Sequence, residues 1–424
     1  MTDKKNLSWS RLDNAAKVFP STTQKTDTRV FRFGCELKFD VDSQALQDAL
    51  DKTIQLYPHF LCVMRKGVFW YYLEQTELKP VVKEEYKPIC DQLYKSGERN
   101  LLFEVTYYKN RINFEAFHVL TDGTGAMNFL KTLVLNYIIG MYGDRFGENV
   151  PFLDDTSSLT QRVQDGFTKY YQKQKRVRIR SEHAFRLHRP KRENDDLLII
   201  EGITSVRSLL QTAHKYNTTL TILLTAFLIE AFHQEMSLQN KNLPVSIGVP
   251  VNLRNYFPSE TARNFFAMIN VKYSFGERSG ELEDIIKVIK QSFEECLTAE
   301  KLSEGMNSYA VLEHNTFIRL APLPLKDAVI RYARMQSDKG TTAVISNIGQ
   351  IKMPEGLSEY INLFYVFAST MTQQLCVCSY GDKLVLGFSS AFTSTEVIKN
   401  FFMQITRNDI PVTINCNDFN SRGV

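Results

Sequence analysis

Apolar positions along the first half of the chain follow two periods, which predicts strands interleaved with helices. Arg29 to Phe39 reads as a strand. Asp42 or Ser43 then offers an N-cap, Leu46, Ala49, Leu50, Thr53, Leu56 and Tyr57 recur at helical spacing, and Pro58 closes the segment. Phe60 to Met64 and Val68 to Leu73 predict a hairpin around Lys66-Gly67. Leu101 to Tyr108 and Arg111 to His118 predict another, turning at Lys109-Asn110. A helix follows with Ala126, Met127, Leu130, Leu133, Val134, Tyr137 and Ile138 on its apolar stripe and Gly140 and Gly143 near its end.

The second half repeats the mixture. Thr204 to Lys215 reads as a helix, and Thr218 or Thr219 caps a longer one through about Met236. Val245 to Val251 and Phe266 to Tyr273 read as strands, Leu282 to Leu302 as a helix, and Thr342 to Ile348, Tyr360 to Ser369, Leu375 to Tyr380 and Lys383 to Ser389 as strands. Thr395 to Thr406 closes as a helix. No short-period repeat breaks this order. Two halves of similar size and kind predict an α/β architecture of two facing lobes, 1–150 and 197–424, joined by a crossover over 151–196. Between Lys173 and Arg192 that crossover carries nine Lys or Arg against one acid, Glu182. A solvated connector accounts for the run; contact with the phosphates of a nucleotide-bearing ligand is the functional alternative, and Phe185, Leu187 and Pro190 leave room for plain surface packing.

Composition narrows the class. A chain of 424 residues, 43% hydrophobic and 23% charged, has the balance of a folded protein too long for one ordinary core. The net charge of +4 is small for that length and argues against a dedicated nucleic-acid binder. The first residues lack the apolar run of a signal peptide, and the most apolar helix, Leu220 to Phe232, is interrupted by Glu230 and too short to span a bilayer. Seven scattered cysteines cannot all pair within one chain. Cys376 and Cys378 lie close together without a matching Cys or His cluster, so two small apolar side chains on one strand face fit better than a metal site. Together these features predict a cytoplasmic protein with no transmembrane segment and no metal.

The chemistry concentrates in Phe114-Glu115-Ala116-Phe117-His118-Val119-Leu120-Thr121-Asp122-Gly123. Strand alternation puts Ile112, Phe114, Ala116 and His118 on one face, apolar up to His118 at the last strand residue. A rigid, partly desolvated histidine there suits a general base, although a satisfied core histidine would sit in the same place. Asp122 falls at the start of the next helix, where an N-cap alone would explain it. Gly123 can relieve crowding where strand, turn and helix meet. No Gly-x-Ser-x-Gly elbow, dinucleotide fingerprint or phosphate loop is present. His59 reads as structural, and His183, His188, His214, His233 and His314 lack metal-type spacing.

The His-x-x-x-Asp-Gly spacing of His118, Asp122 and Gly123, in a chain of this length, resembles the superfamily of chloramphenicol acetyltransferase, peptide-synthetase condensation domains, plant BAHD acyltransferases and microbial alcohol acetyltransferases. Arg11-Leu12-Asp13-Asn14, Pro250-Val251-Asn252-Leu253-Arg254 followed by Asn264, and Ser346-Asn347-Ile348-Gly349 are similar to the alcohol acetyltransferase branch. Two points depart from other branches: Phe117 stands where peptide-forming condensation domains carry a second His, and the plant group's Asp-Phe-Gly-Trp-Gly motif is absent. The resemblance implies two chloramphenicol-acetyltransferase-like lobes, each a mixed sheet packed with helices, with an active-site channel between them. It implies acyl transfer from acyl-CoA, acetyl-CoA being the first expectation, to an alcohol or amine acceptor. His118 would be the base, and Asp122 a structural residue paired with Arg254. Ser346 and Asn347 are candidates for the oxyanion contact, with strand-end hydrogen bonding as the alternative. Competing readings are an enzyme whose donor is tethered to an acyl carrier protein, and a catalytically silent ligand-binding relative.

Overall fold

The structure is a computed structural model and describes residues 8–153, 165–170, 182–314 and 320–417. The first half runs β1 (Trp9–Arg11), α1 (Phe19–Thr22), β2 (Val30–Leu37), α2 (Ser43–Leu56), β3 (Cys62–Lys66), β4 (Tyr71–Gln75), β5 (Lys83–Glu84), β6 (Phe103–Tyr108), β7 (Arg111–Phe117) and α3 (Gly123–Tyr142). The second begins with α4 (Gly166–Tyr170), β8 (Leu198–Ser205), α5 (Val206–Lys215), α6 (Leu220–His233), β9 (Val245–Asn252) and β10 (Phe266–Tyr273). It continues with α7 (Leu282–Cys296), α8 (Ala299–His314), α9 (Leu323–Asp338), β11 (Ala343–Gln350), β12 (Ile361–Ala368), β13 (Gln373–Tyr380), β14 (Lys383–Ser390), α10 (Glu396–Thr406) and β15 (Thr413–Cys416).

Two sheets carry the molecule. The first orders its strands β12-β2-β7-β6-β5, the second β10-β9-β11-β13-β14-β8-β15, and a small sheet β1-β4-β3 stands beside them. Each large sheet has its own core: α2 and α3 pack their apolar faces on the first, and α6, α7 and α10 on the second. Helix α6 is buried almost all round, from Ile222 to Phe232, as a core helix should be, and no helix among the described residues is long and apolar enough to cross a membrane. Cys376 and Cys378 are buried in one core as free thiols.

The halves are not closed units. β12 leaves the C-terminal half and pairs antiparallel with β2 of the first sheet, Ile361 opposite Leu37 and Ala368 opposite Phe31. Its sequence, INLFYVFA, is buried on both faces and so can sit between a sheet neighbour and the opposite lobe. There β14 passes so close that a Cβ on Gly387 would lie 2.4 Å from the carbonyl oxygen of Val366; only glycine fits. Charge also ties the lobes: Arg111 on β7 reaches Glu201 on β8 at 2.9 Å while its guanidinium lies over the Tyr365 ring, 4.7 Å from the centroid.

Some boundaries differ from the sequence expectation. The helix expected over 282–302 is two, because Thr298 starts a new one by accepting from Lys301 N. β8 precedes α5 over residues partly read as helix, and α9 was not expected. In the basic run, residues 171–181 lie outside the described residues. Beyond them Phe185 and Leu187 are buried, and the Phe185 carbonyl accepts from Thr342 Oγ1 at 2.6 Å, so this stretch packs onto the second sheet.

Candidate active site

β7 ends at Phe117, and His118 occupies the turn after it, one residue beyond the expected place. The reason is local. The backbone N–H of His118 makes one last antiparallel hydrogen bond to Arg29 O at 2.8 Å, and the strand ends there because Arg29 itself has φ 58°. A non-glycine residue held left-handed costs about 1–2 kcal/mol, so the surroundings enforce this bend. Phe117 turns into the core and stacks on Tyr94 with centroids 5.9 Å apart, away from His118.

Three rings surround the imidazole of His118: Phe19 at 4.6 Å, Phe31 at 5.1 Å and Phe266 at 5.4 Å between centroids. This apolar wall lowers the pKa of His118 below the ordinary 6.5, only partly offset by the Asp122 carboxylate and Asn264. The imidazole is therefore neutral at pH 7.

Its tautomer follows from its neighbour. Asn264 comes from the other half of the chain, just before β10. Its Nδ2 donates to His118 O at 2.9 Å and to Asp13 Oδ2 at 3.1 Å. A carbonyl oxygen can only accept, so the amide faces it with nitrogen and presents Oδ1 to His118 Nδ1 at 2.9 Å. Nδ1 then carries the proton, and Nε2 keeps its lone pair with no hydrogen bond among the described residues. Asp13 is buried, accepts from Ala16 N at 2.7 Å, and burial pushes its carboxyl up to about 6, against the pull of Arg263.

Asp122 serves two ends at once. Its Oδ1 caps α3 by accepting from Thr124 N and Gly125 N at 3.1 and 3.2 Å. Its Oδ2 accepts from Arg254 Nη1 and Phe265 N, both at 2.8 Å. Arg254 spends its other donors on carbonyls: Nε and Nη2 on Thr261 O, and Nη2 also on Arg263 O at 2.7 Å. The structure thus brings together His118, Asp122 and Arg254 across the two halves.

The remaining expected residues fall differently. A Cβ on Gly123 would meet the flexible end of Ile348 at 3.1 Å, whereas one on Gly125 would lie 2.1 Å from Thr121 Oγ1 and 2.3 Å from Ala262 O. The crowded glycine is therefore Gly125, over which Thr121 Oγ1 donates to Ala262 O at 2.6 Å. Asn347 donates to Thr221 Oγ1 and accepts from Gly349 N, both at 2.8 Å, next to a register shift inside β11. Ser346 is half-buried, alternates away from the core residue Ile345, and makes no side-chain hydrogen bond among the described residues. Phe19, Phe31, Arg29 and Gly125 had no role at the site in the sequence reading, and Asp13 entered it only within the Arg11-Leu12-Asp13-Asn14 motif. They are ordinary residue types whose part in the site arises only from long-range packing. No group of three or more His, Cys, Asp or Glu among the described residues could hold a metal ion.

No family model and no curated protein matches the chain. Solved structures do. TRI101 of F. graminearum, complexed with coenzyme A and T-2 mycotoxin, superposes with a TM-score of 0.63 at 11% identity, covering 96% of this chain and 99% of that one. TRI3 trichothecene 15-O-acetyltransferase from Fusarium sporotrichioides gives 0.60 at 12% identity, covering 96% of each chain. The first condensation domain of the calcium-dependent antibiotic synthetase, in complex with a substrate analogue, gives 0.60 at 11%, covering 96% and 99%. The chain therefore has the two-lobed mixed α/β fold of TRI101, TRI3 and this condensation domain.

Proposed function

We propose that this chain is an acyltransferase that moves an acyl group, acetyl in the first instance, from acyl-CoA to an alcohol or amine, with His118 as general base. The observation that carries this reading is the hydrogen bond from His118 Nδ1–H to Asn264 Oδ1 at 2.9 Å, which leaves a basic Nε2 on a neutral ring. The fold shared with TRI101, whose structure holds coenzyme A, supports the donor class.

In the proposed reaction the acceptor hydroxyl or amine gives its proton to His118 Nε2 as its oxygen or nitrogen bonds to the thioester carbonyl carbon. The tetrahedral intermediate collapses, the carbon–sulfur bond breaks, and the leaving thiolate takes the proton back from the imidazolium. General-base help of this kind contributes about 10²–10⁴-fold. Ser346 is the proposed oxyanion donor, since its hydroxyl is unspent and Asn347 is committed to holding β11. Asp122 and Arg254 act by fixing the loop that carries His118.

The test is release of free thiol from acetyl-CoA and longer acyl-CoAs with pooled alcohols and amines, wild type beside His118→Ala. Acceptor-dependent release that disappears in a folded His118→Ala is the expected result. Equal release by both removes His118 from the mechanism. Silence of both, with transfer restored when the acyl group is loaded on a carrier protein, would move the donor from CoA to a carrier.

A further inference from the structure

Helix α9 wears its apolar residues on the outside. Leu325, Val329, Tyr332 and Met335 are 58%, 58%, 62% and 52% exposed, at spacings of four, three and three that place them on one face. Inward the helix offers only Leu323, Lys326 and Ile330. Its first turn is tied to the tip of the β3–β4 hairpin, where Leu323 N donates to Val68 O and Lys326 Nζ to Phe69 O, each at 2.9 Å. That tip is apolar too, with Val68 74% and Phe69 43% exposed. Helix face and hairpin tip thus form one continuous apolar surface, larger in kind than the scattered apolar residues of ordinary protein surfaces.

The charges around it select its partner. Arg331 is the one charged residue among the exposed positions of α9, its Nε donating to Ser21 O at 3.4 Å, and Lys66 is exposed at the hairpin tip. The acids point away: Asp327 accepts from Ser21 Oγ at 2.7 Å and Tyr71 OH at 3.0 Å, and Asp338 holds Arg334 at 2.7 Å. Two cations beside an apolar face that exposes no acid match anionic headgroups above acyl chains. A second copy of the chain would present the same face, whose exposed positions on α9 and the hairpin tip offer these cations no acid to pair with. Nor is there a groove to take a peptide anchor: the cavity beneath, lined by Trp70, Leu323, Lys326 and Ile330 among others, holds about 10 Å³.

We propose that the outer face of α9 and the tip of the β3–β4 hairpin dock on a bilayer containing anionic lipid, with Leu325, Val329, Tyr332, Met335, Val68 and Phe69 entering the headgroup region. This is independent of acyl transfer and holds or fails whatever the chain catalyses. The surface nevertheless adjoins the candidate site, since α9 packs on α1, whose Phe19 lies against His118.

The experiment is co-sedimentation of the full chain with vesicles of phosphatidylcholine alone or mixed with phosphatidylserine, at low and high salt. The variants are Val329→Ser/Tyr332→Ser and Arg331→Glu, all at exposed positions, with thermal melts to verify folding. The expected result is binding to the mixed vesicles that weakens with salt, falls about tenfold or more in the double serine variant, and falls in Arg331→Glu on anionic vesicles only. No binding to mixed vesicles overturns the proposal, as does binding that a folded serine variant retains. A concentration-dependent dimer abolished by the serine variant, without vesicle binding, would assign the face to a second copy instead.

Discussion

Asn264 Oδ1 lies 2.9 Å from His118 Nδ1, although the two residues are 146 positions apart and come from different halves of the chain. The amide cannot rotate without breaking its bonds to His118 O and Asp13. Asn264 is thus the positioning residue of the candidate site. Asn264→Ala should free the imidazole to exchange tautomers and swing, lowering kcat about 10- to 100-fold by loss of one or two buried hydrogen bonds. KM should change little. A kcat unchanged within error, in a protein that melts normally, would leave the amide a purely structural role.

The pH profile follows from the same surroundings. Burial lowers the His118 pKa below 6.5, so the base stays deprotonated through neutral pH and the acid limb of kcat/KM should have its midpoint below 6.5. Stability carries two opposing contributions. For His118 the unfolded chain binds the proton more readily, so its contribution is complete above about 6.5 and is lost as pH falls toward the folded pKa. Asp13, raised from 3.8 to about 6, favours the folded state as pH falls through 6. Asp13→Asn should therefore leave a steeper acid loss of stability than wild type between about pH 4 and 6, read from melting temperatures in a pH series.

Asp122 and Arg254 hold the His118 loop to the second lobe. Both side chains are nearly buried, 6% and 11% exposed, and Asp122 is the carboxylate that faces the Arg254 charge. Asp122→Ala strands a buried guanidinium and uncaps α3, and should cost about 3–5 kcal/mol along with activity. Asp122→Asn keeps an acceptor for one end only and should fall between. A normal melting temperature for Asp122→Ala would contradict this role.

Much of this frame was legible in the sequence, because local patterns specify local structure. The α2 cap at Asp42, the two hairpins and α3 follow from periodicity and turn residues. The apolar run from Leu220 to Phe232 was readable as a helix too short to span a bilayer, and the structure buries it as α6. What was not legible depended on distant partners. β12 is apolar on both faces, so its sequence carries no mark of which sheet it joins. Helix α9 gives no inward stripe because its apolar residues face out. Spacing singled out His118 as a candidate, but its tautomer depends on Asn264 and its aromatic walls on three separated phenylalanines, which no local window contains.

Gly123 and Gly125 should respond unequally to a methyl group. In Gly123→Ala the Ile348 methyl can yield a few tenths of an ångström, and helix propensity favours alanine, so stability should change by less than about 1 kcal/mol. In Gly125→Ala the obstacle is the Ala262 carbonyl at 2.3 Å, which is backbone and cannot yield. That variant should lose about 1–3 kcal/mol or more, and the Thr121–Ala262 hydrogen bond with it. Equal melting temperatures for the two would refute the packing described.

The lobes themselves are joined by Arg111, which faces Glu201 at 2.9 Å and Glu36 at 2.6 Å. Glu201 is 3% exposed, so removing its cation leaves a carboxylate in the interface without compensation. Arg111→Met should cost about 3–5 kcal/mol for that reason. Glu201→Met should cost less, because Arg111 keeps Glu36 and its place over Tyr365. Arg111→Met/Glu201→Met removes both charges and puts apolar groups in a buried space, so it should recover part of the loss, a coupling that a double-mutant cycle of denaturation midpoints measures directly. If the single losses simply add, the two side chains do not act as a pair, and the ion pair contributes nothing of its own to holding the lobes together.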